Sequence, residues 1–192
     1  MALSTGSNKI KTAVFISGTG SNLKNLINFS KTKKSPISID LIISNTIKAK
    51  GLKFANQYQI KKKIFNFKNI KTTEKKLFIL LKKKKIKFIC LAGFMKILSS
   101  KFIKQFNGKI INIHPSLLPR YKGLNTHSRA IQNKDKFTGC SVHYVTEKLD
   151  SGKIIIQKKI KILKKDTPKS LAKKVLKQEH KLYPKAILKI FN

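Results

Sequence analysis

Asn112, His114 and Asp150 are the side chains of this sequence best suited to chemistry on a carbonyl. Asn112 and His114 stand two residues apart at the end of an apolar, strand-like run, so in extended backbone an amide and an imidazole project to one side. Pro115 biases His114 toward that extended form. In an open α/β sheet, ligands gather outside the carboxyl ends of strands, which is where this pair falls. Such donors stabilise the negative charge that develops on oxygen when an amine attacks an acyl carbon, and removing one costs on the order of 10² to 10³ in rate. A nearby carboxylate raises an imidazole's pKa, so Asp150, in the turn-rich stretch 146–152, is expected to hold His114 charged. His127, His143 and His180 have weaker contexts, and His143 reads as a strand residue with a structural role.

A second chemical feature lies near the start of the sequence. The apolar run 13–16 ends in Gly18-Thr19-Gly20-Ser21-Asn22, followed by Leu23, Leu26 and Ile27 at helical spacing. Gly20, Ser21 and Asn22 would offer backbone N–H groups and the positive end of a helix to an anion, with the Ser21 and Asn22 side chains as further donors. No third glycine completes a dinucleotide fingerprint and no Gly-Lys-Ser/Thr closes a P-loop, so a phosphate monoester fits better than a nucleoside triphosphate. On the motif alone, a tight turn whose glycines only satisfy backbone geometry is an equal alternative.

The elements that must carry these groups alternate. Strands are predicted at 13–16, 37–44, 63–67, 88–92 and 109–113, with helices starting near 21 and spanning 50–57, 72–84 and 99–106. After the loop 115–125 come a helix at 126–132 and two late strands, 139–145 and 153–163, on one side of the sheet. Thr167 as N-cap and Pro168 at the first helical position open a last helix, through 178 or beyond. The pattern predicts an α/β fold with a mostly parallel central sheet and helices on both faces. One domain over 1–192 suits the length, with 1–10 read as a flexible N-terminal extension.

Composition excludes more than it identifies. No apolar run reaches the roughly 18 to 20 residues of a membrane span, and the polar start does not read as a secretory signal, so the expected compartment is the cytoplasm. Cys90 and Cys140 lack metal-knuckle or disulfide spacing and are expected to be reduced and buried. A net charge of +37 suggests nucleic acid, yet only Arg120 and Arg129 of the 44 basic residues are arginine, and the lysines are dispersed. A compositional drift toward lysine, with only incidental adhesion to polyanions, accounts for this better than specific nucleic-acid recognition. The seven remaining carboxylates, Asp40, Glu74, Asp135, Glu147, Asp150, Asp166 and Glu179, are therefore the more informative charges.

Six ordered blocks, ISGTGSN (16–22), LAGFMKIL (91–98), NIHPSLLPRY (112–121), GLNTH (123–127), SVHYVTEKLDSG (141–152) and QEH (178–180), resemble the phosphoribosylglycinamide formyltransferases, folate-dependent enzymes of purine synthesis. The resemblance implies a Rossmann-like formyltransferase fold acting on glycinamide ribonucleotide and 10-formyltetrahydrofolate without a metal. It implies Asn112, His114 and Asp150 as catalytic, with Gly20, Ser21, Asn22, Gln178 and Glu179 binding the ribonucleotide. Met95, Lys96, Ile97, Leu98, Asn112 and Thr146 would hold the folate, with Lys71 upstream, where the resembling family often places an arginine. Thr19 stands where an asparagine is common, Lys96 where an arginine is common, and Lys122 where a proline often occurs. Methionyl-tRNA formyltransferase and formyltetrahydrofolate deformylase share the Asn-x-His feature, but each carries a further domain that 192 residues do not accommodate. Small-molecule partners are implied, with no membrane, and monomer and homodimer both stay open.

Overall fold

The computed structural model describes residues 9–191. Most of the expected extension at 1–10 lies outside the described residues, and Ile10 is already the first residue of a strand. The strands are β1 (Ile10–Ile16), β2 (Ile37–Ser44), β3 (Lys61–Ile64), β4 (Phe88–Leu91), β5 (Lys109–His114), β6 (Phe137–Tyr144) and β7 (Ile154–Lys161). The helices are α1 (Ser21–Ser30), α2 (Lys53–Gln57), α3 (Ile70–Lys83), α4 (Ser100–Gln105), α5 (Thr126–Gln132) and α6 (Pro168–Phe191).

All seven strands form one sheet in the order β3-β2-β1-β4-β5-β6-β7. The first five are parallel, and β6 and β7 join antiparallel. Alternation along the central strands divides the core. Val14, Ile16, Ile42, Cys90, Ile111 and Val142 pack toward α1 and α6, whereas Ala13, Phe15, Leu41, Ile43, Ile89 and Ile110 pack toward α3 and α4. The expected α/β layers are thus present. Cys90 and Cys140 are free and buried, and burial raises both thiol pKa values, that of Cys140 to about 12.

Two elements depart most from the sequence reading. The strand expected at 63–67 runs instead as β3, all four of whose residues are exposed at the sheet edge. Phe67 is buried beyond the strand's end, so its apolar signal marked a loop packing inward. The lysines of β3 blunt an edge that would otherwise pair with another chain. The helix expected at 50–57 is a 3₁₀ turn, Lys50–Leu52, running into the short α2. α6 continues through Pro184 to Phe191.

Proline inside a helix frees the carbonyl four residues earlier, here that of His180. Asn25 of α1 donates its side-chain amide to that oxygen at 2.7 Å, which satisfies it and ties α1 to α6. Asn25→Ala is expected to cost about 1–2 kcal/mol in denaturant unfolding, and distinctly less in a Pro184→Ala background, where the restored N–H can take the carbonyl. Equal losses in the two backgrounds would show that the freed carbonyl is not what Asn25 serves.

Candidate active site

The sheet order reverses between β1 and β4, and the C-terminal ends of β1, β4 and β5 border the crevice where open α/β sheets bind ligands. A cavity of about 960 Å³ opens there, large enough for two organic ligands side by side. Ser21 and Asn22 from the start of α1, Met95, Lys96, Ile97 and Leu98 from the stretch after β4, and Asn112, His114, Thr146 and Asp150 all line it. Period-two alternation on β5 therefore does place Asn112 and His114 in one space, as their spacing predicts. Ser17, at the end of β1, fixes two walls together: its backbone N–H donates to Gly93 O, and its hydroxyl accepts from Met95 N at 2.7 Å and donates to Asn45 Oδ1.

His114 is 5% exposed and held at both ring nitrogens. Its Nε2 lies 2.8 Å from Tyr121 O, and because a carbonyl only accepts, Nε2 carries the proton. Nδ1 faces Asp150 Oδ2 at 3.3 Å. Asp150 Oδ2 also accepts from Gly123 N at 2.9 Å, and Oδ1 is 3.5 Å from both Asn112 Nδ2 and His143 Nε2. The three chosen residues thus meet.

The electrostatic expectation needs correcting. Burial is the largest influence on His114 and pulls its pKa below the ordinary 6.5, outweighing the upward pull of the Tyr121 carbonyl and the Asp150 charge. Asp150 does not by itself keep the imidazole charged in the resting pocket. For Asp150, burial pushes upward, yet the neighbouring His143 ring, the Gly123 N–H and the His114 imidazole leave its carboxyl below 3.8.

His143, taken from sequence as structural, belongs to the same cluster. It is 2% exposed, its Nδ1 donates to Tyr144 O at 2.8 Å, and its Nε2 lies 3.3 Å from Asn112 Nδ2. The antiparallel register sets His143 directly opposite Asn112. Sequence could have revealed this only through the direction and register of β6. The Asn112 NH₂ is consequently turned toward His143 and Asp150 in the resting site.

At the glycine turn, Gly20 is the N-cap of α1, with φ 76. A Cβ there would lie 2.6 Å from Gly51 Cα, so the turn and the 3₁₀ segment approach more closely than any side chain permits. Ser21 and Asn22, in the first turn of α1, line the cavity at a helix N-terminus of the kind that suits an anion, whereas Gly20, expected to bind with them, does not line it. Asn22 differs from expectation, because its Nδ2 donates to Glu179 Oε2 at 2.7 Å. Its amide organises Glu179, which lines the cavity from α6 and whose pKa burial raises despite that bond. Gln178 does not line the cavity, and exposed Lys71, near the start of α3, does not either. Leu124, Asn125, Thr126 and His127 do line it, and were not singled out as site residues. Among the described residues, no group of three or more His, Cys, Asp or Glu is placed to hold a metal ion. No helix among them is long and apolar enough to cross a membrane.

Comparison with known proteins gives this geometry its family. The formyl transferase family matches residues 10–187. The chain belongs to that family. Phosphoribosylglycinamide formyltransferase of Haemophilus influenzae is 42% identical over 92% of this chain and 85% of its own length. The human trifunctional purine biosynthetic protein adenosine-3 is 41% identical over 93% of this chain. The chain spans only 18% of that larger protein. The solved phosphoribosylglycinamide formyltransferase of Brucella melitensis superposes with a TM-score of 0.90 at 40% identity, covering 95% of this chain and 96% of that one.

Burial also gives the chain a pH-dependent stability. His114, His127 and His180 are depressed below 6.5 in the folded chain, in each case chiefly by burial. The unfolded chain then binds more protons as pH falls, so their contribution is complete above 6.5 and is lost as pH drops through and below that value. Glu179, raised above 4.5, acts in the opposite sense, and the lowering of Asp150 matters only below 3.8. Three groups oppose one, so the thermal midpoint should rise between about pH 5.5 and about pH 7.5. A flat or falling midpoint over that range would contradict the assignment.

Proposed function

We propose that this formyl transferase moves the formyl group of 10-formyltetrahydrofolate to the amine of glycinamide ribonucleotide, giving formylglycinamide ribonucleotide and tetrahydrofolate. The observation that carries the reading is the meeting of His114, Asp150 and Asn112 in one cavity that Ser21 and Asn22, at the start of α1, also line. The relatives named for the same activity support it, as does the apolar wall at Ile97 and Leu98, suited to a flat pterin. The reaction as proposed is cytoplasmic and uses no metal, since the protein's own donors meet the charge that develops.

The ribonucleotide phosphate sits on Ser21 and the α1 N-terminus, and the Glu179 carboxylate accepts from ribose hydroxyls. The amine attacks the formyl carbon, a C–N bond forms, and negative charge moves to the formyl oxygen. Nε2 of His114 is committed to the Tyr121 carbonyl, so Nδ1 is the working nitrogen: once the closed ternary complex and the Asp150 charge hold the ring as imidazolium, its Nδ1–H turns from Asp150 to the oxyanion. Asn112 turns its NH₂ from His143 toward the same oxygen. Collapse breaks the bond to N10 of the folate, and the proton lost by the amine reaches N10 through Asp150 and water. No covalent enzyme intermediate is needed.

The test is a transfer assay with both substrates beside a control lacking the amine. Formylated ribonucleotide in the first and negligible formate in the second support transfer, whereas formate release at equal rate in both would make the chain a hydrolase. Ser21→Ala should raise the KM for the ribonucleotide by about tenfold, with the folate KM little changed. Equal changes in both KM values would remove Ser21 from the phosphate.

A further inference from the structure

The only two arginines among 44 basic residues both stack on one side chain, Tyr121. The Arg120 and Arg129 guanidinium carbons lie 5.1 and 5.0 Å from its ring centroid. The Tyr121 hydroxyl donates to Asp135 Oδ2 at 2.7 Å and accepts from Asn133 Nδ2 at 2.9 Å. Arg120 Nη2 also bonds Asp135 Oδ1 at 2.8 Å, while Arg129 Nη1 donates to Lys122 O at 2.8 Å. The residue so gripped has φ 54, a left-handed conformation that an aromatic residue keeps only when its surroundings impose it.

We propose that the two arginines clamp Tyr121 so that its backbone carbonyl positions His114, making Tyr121, Arg120 and Arg129 positioning residues for the working imidazole. This rests on the reading of His114 given above. Stability alone does not account for the arrangement, because the Arg120 side chain is 59% exposed and an exposed ion pair contributes little. What the guanidinium supplies, and an ammonium does not, is a flat face for the ring together with in-plane donors for a carboxylate or carbonyl. In a chain whose other 42 basic residues are all lysine, these two positions kept the guanidinium.

The test is the double variant Arg120→Lys and Arg129→Lys, which preserves every formal charge. Two quantities are read: kcat against KM, and the titration of His114 by NMR without substrates. The groups facing His114 are Asp150, His143 on β6, His127 and Arg129 on α5, and the Tyr121 carbonyl. Formal charge is conserved, and a positive charge drawn away from His114 would raise its midpoint, so a fall reports the carbonyl contact. The expected result is a kcat lowered roughly 10- to 100-fold with KM values nearly unchanged. The His114 midpoint should fall as the carbonyl contact, which raises it, loosens. Tyr121→Phe, which keeps the stacked ring and loses the hydroxyl bonds, should move both quantities less, in the same direction. If the double variant does not fold, Arg129→Lys alone provides the same two readings. Unchanged kcat and unchanged His114 titration, while His114→Ala is inactive, would overturn the clamp. An active His114→Ala would overturn the catalytic reading instead, and the substrate-free titration would still report whether the clamp holds the ring.

Discussion

Asp150→Asn is expected to abolish measurable formyl transfer, with kcat at least roughly 10³-fold below that of the unaltered chain. One carboxylate meets four groups: Gly123 N–H and His114 Nδ1 at Oδ2, Asn112 Nδ2 and His143 Nε2 at Oδ1. An amide of the same shape supplies an acceptor at one end and a donor at the other, so one of those pairs is set donor against donor. It also removes the negative charge that receives the proton leaving the amine. His114→Ala should lose activity to a similar extent. Folding must be retained in both, as checked by circular dichroism, and near-normal turnover in either would remove the mechanism.

The other large effect is geometric. A Cβ at Gly152 would lie 1.8 Å from Tyr144 O and 2.7 Å from Tyr144 C, both backbone atoms, so no rotation of a side chain relieves the contact. Tyr144 ends β6 and its N–H donates to Lys153 O, so the clash falls where β6 and β7 close the loop bearing Asp150. Gly152→Ala must therefore displace that loop. A shift of about 1 Å at a reacting group costs up to about 10² in rate, and forced overpacking costs about 1–3 kcal/mol of stability. Gly18→Ala, with nothing within 4 Å of the added carbon, is the matched comparison for stability and should unfold at nearly the original midpoint. If Gly152→Ala retains both full kcat and full stability, the loop's position is not what holds Asp150 in place.

The parts of the site that sequence made legible are those fixed locally. The β5 pair was readable because alternation and the following proline constrain a few adjacent residues, and the Gly20 turn because the strand, glycines and helix follow in order. The parts that were not legible depend on distant residues meeting. Asn22 and Glu179 are separated by 157 positions, so nothing near Asn22 indicated that its amide serves a carboxylate. His143 joins the site through the register of an antiparallel pair. The depressed pKa of His114 follows from desolvation by the closed fold, whereas its neighbour Asp150, visible in sequence, suggested the opposite sign. β3 was displaced in the reading because Phe67 is buried from a loop.

The scarcity of acid proved a useful guide to structure as well as to chemistry. Glu74 accepts from both the backbone and the hydroxyl of Ser99, joining α3 to the cap of α4. Asp166 holds Lys174, Ser170 and Leu163 N–H at the start of α6. Asp135 anchors the arginine and tyrosine cluster. Glu147, paired with Lys104 at 3.3 Å between exposed side chains, carries no comparable duty.

The most direct measurement is a crystal structure with glycinamide ribonucleotide and a non-reactive 10-formyl folate analogue bound together. The account predicts the phosphate on Ser21 and the α1 N-terminus, and the amine about 3–3.5 Å from the formyl carbon. It also predicts the formyl oxygen against His114 Nδ1, with Nε2 still on the Tyr121 carbonyl. A phosphate bound elsewhere, or a formyl group lying away from His114, Asn112 and Asp150, would contradict it.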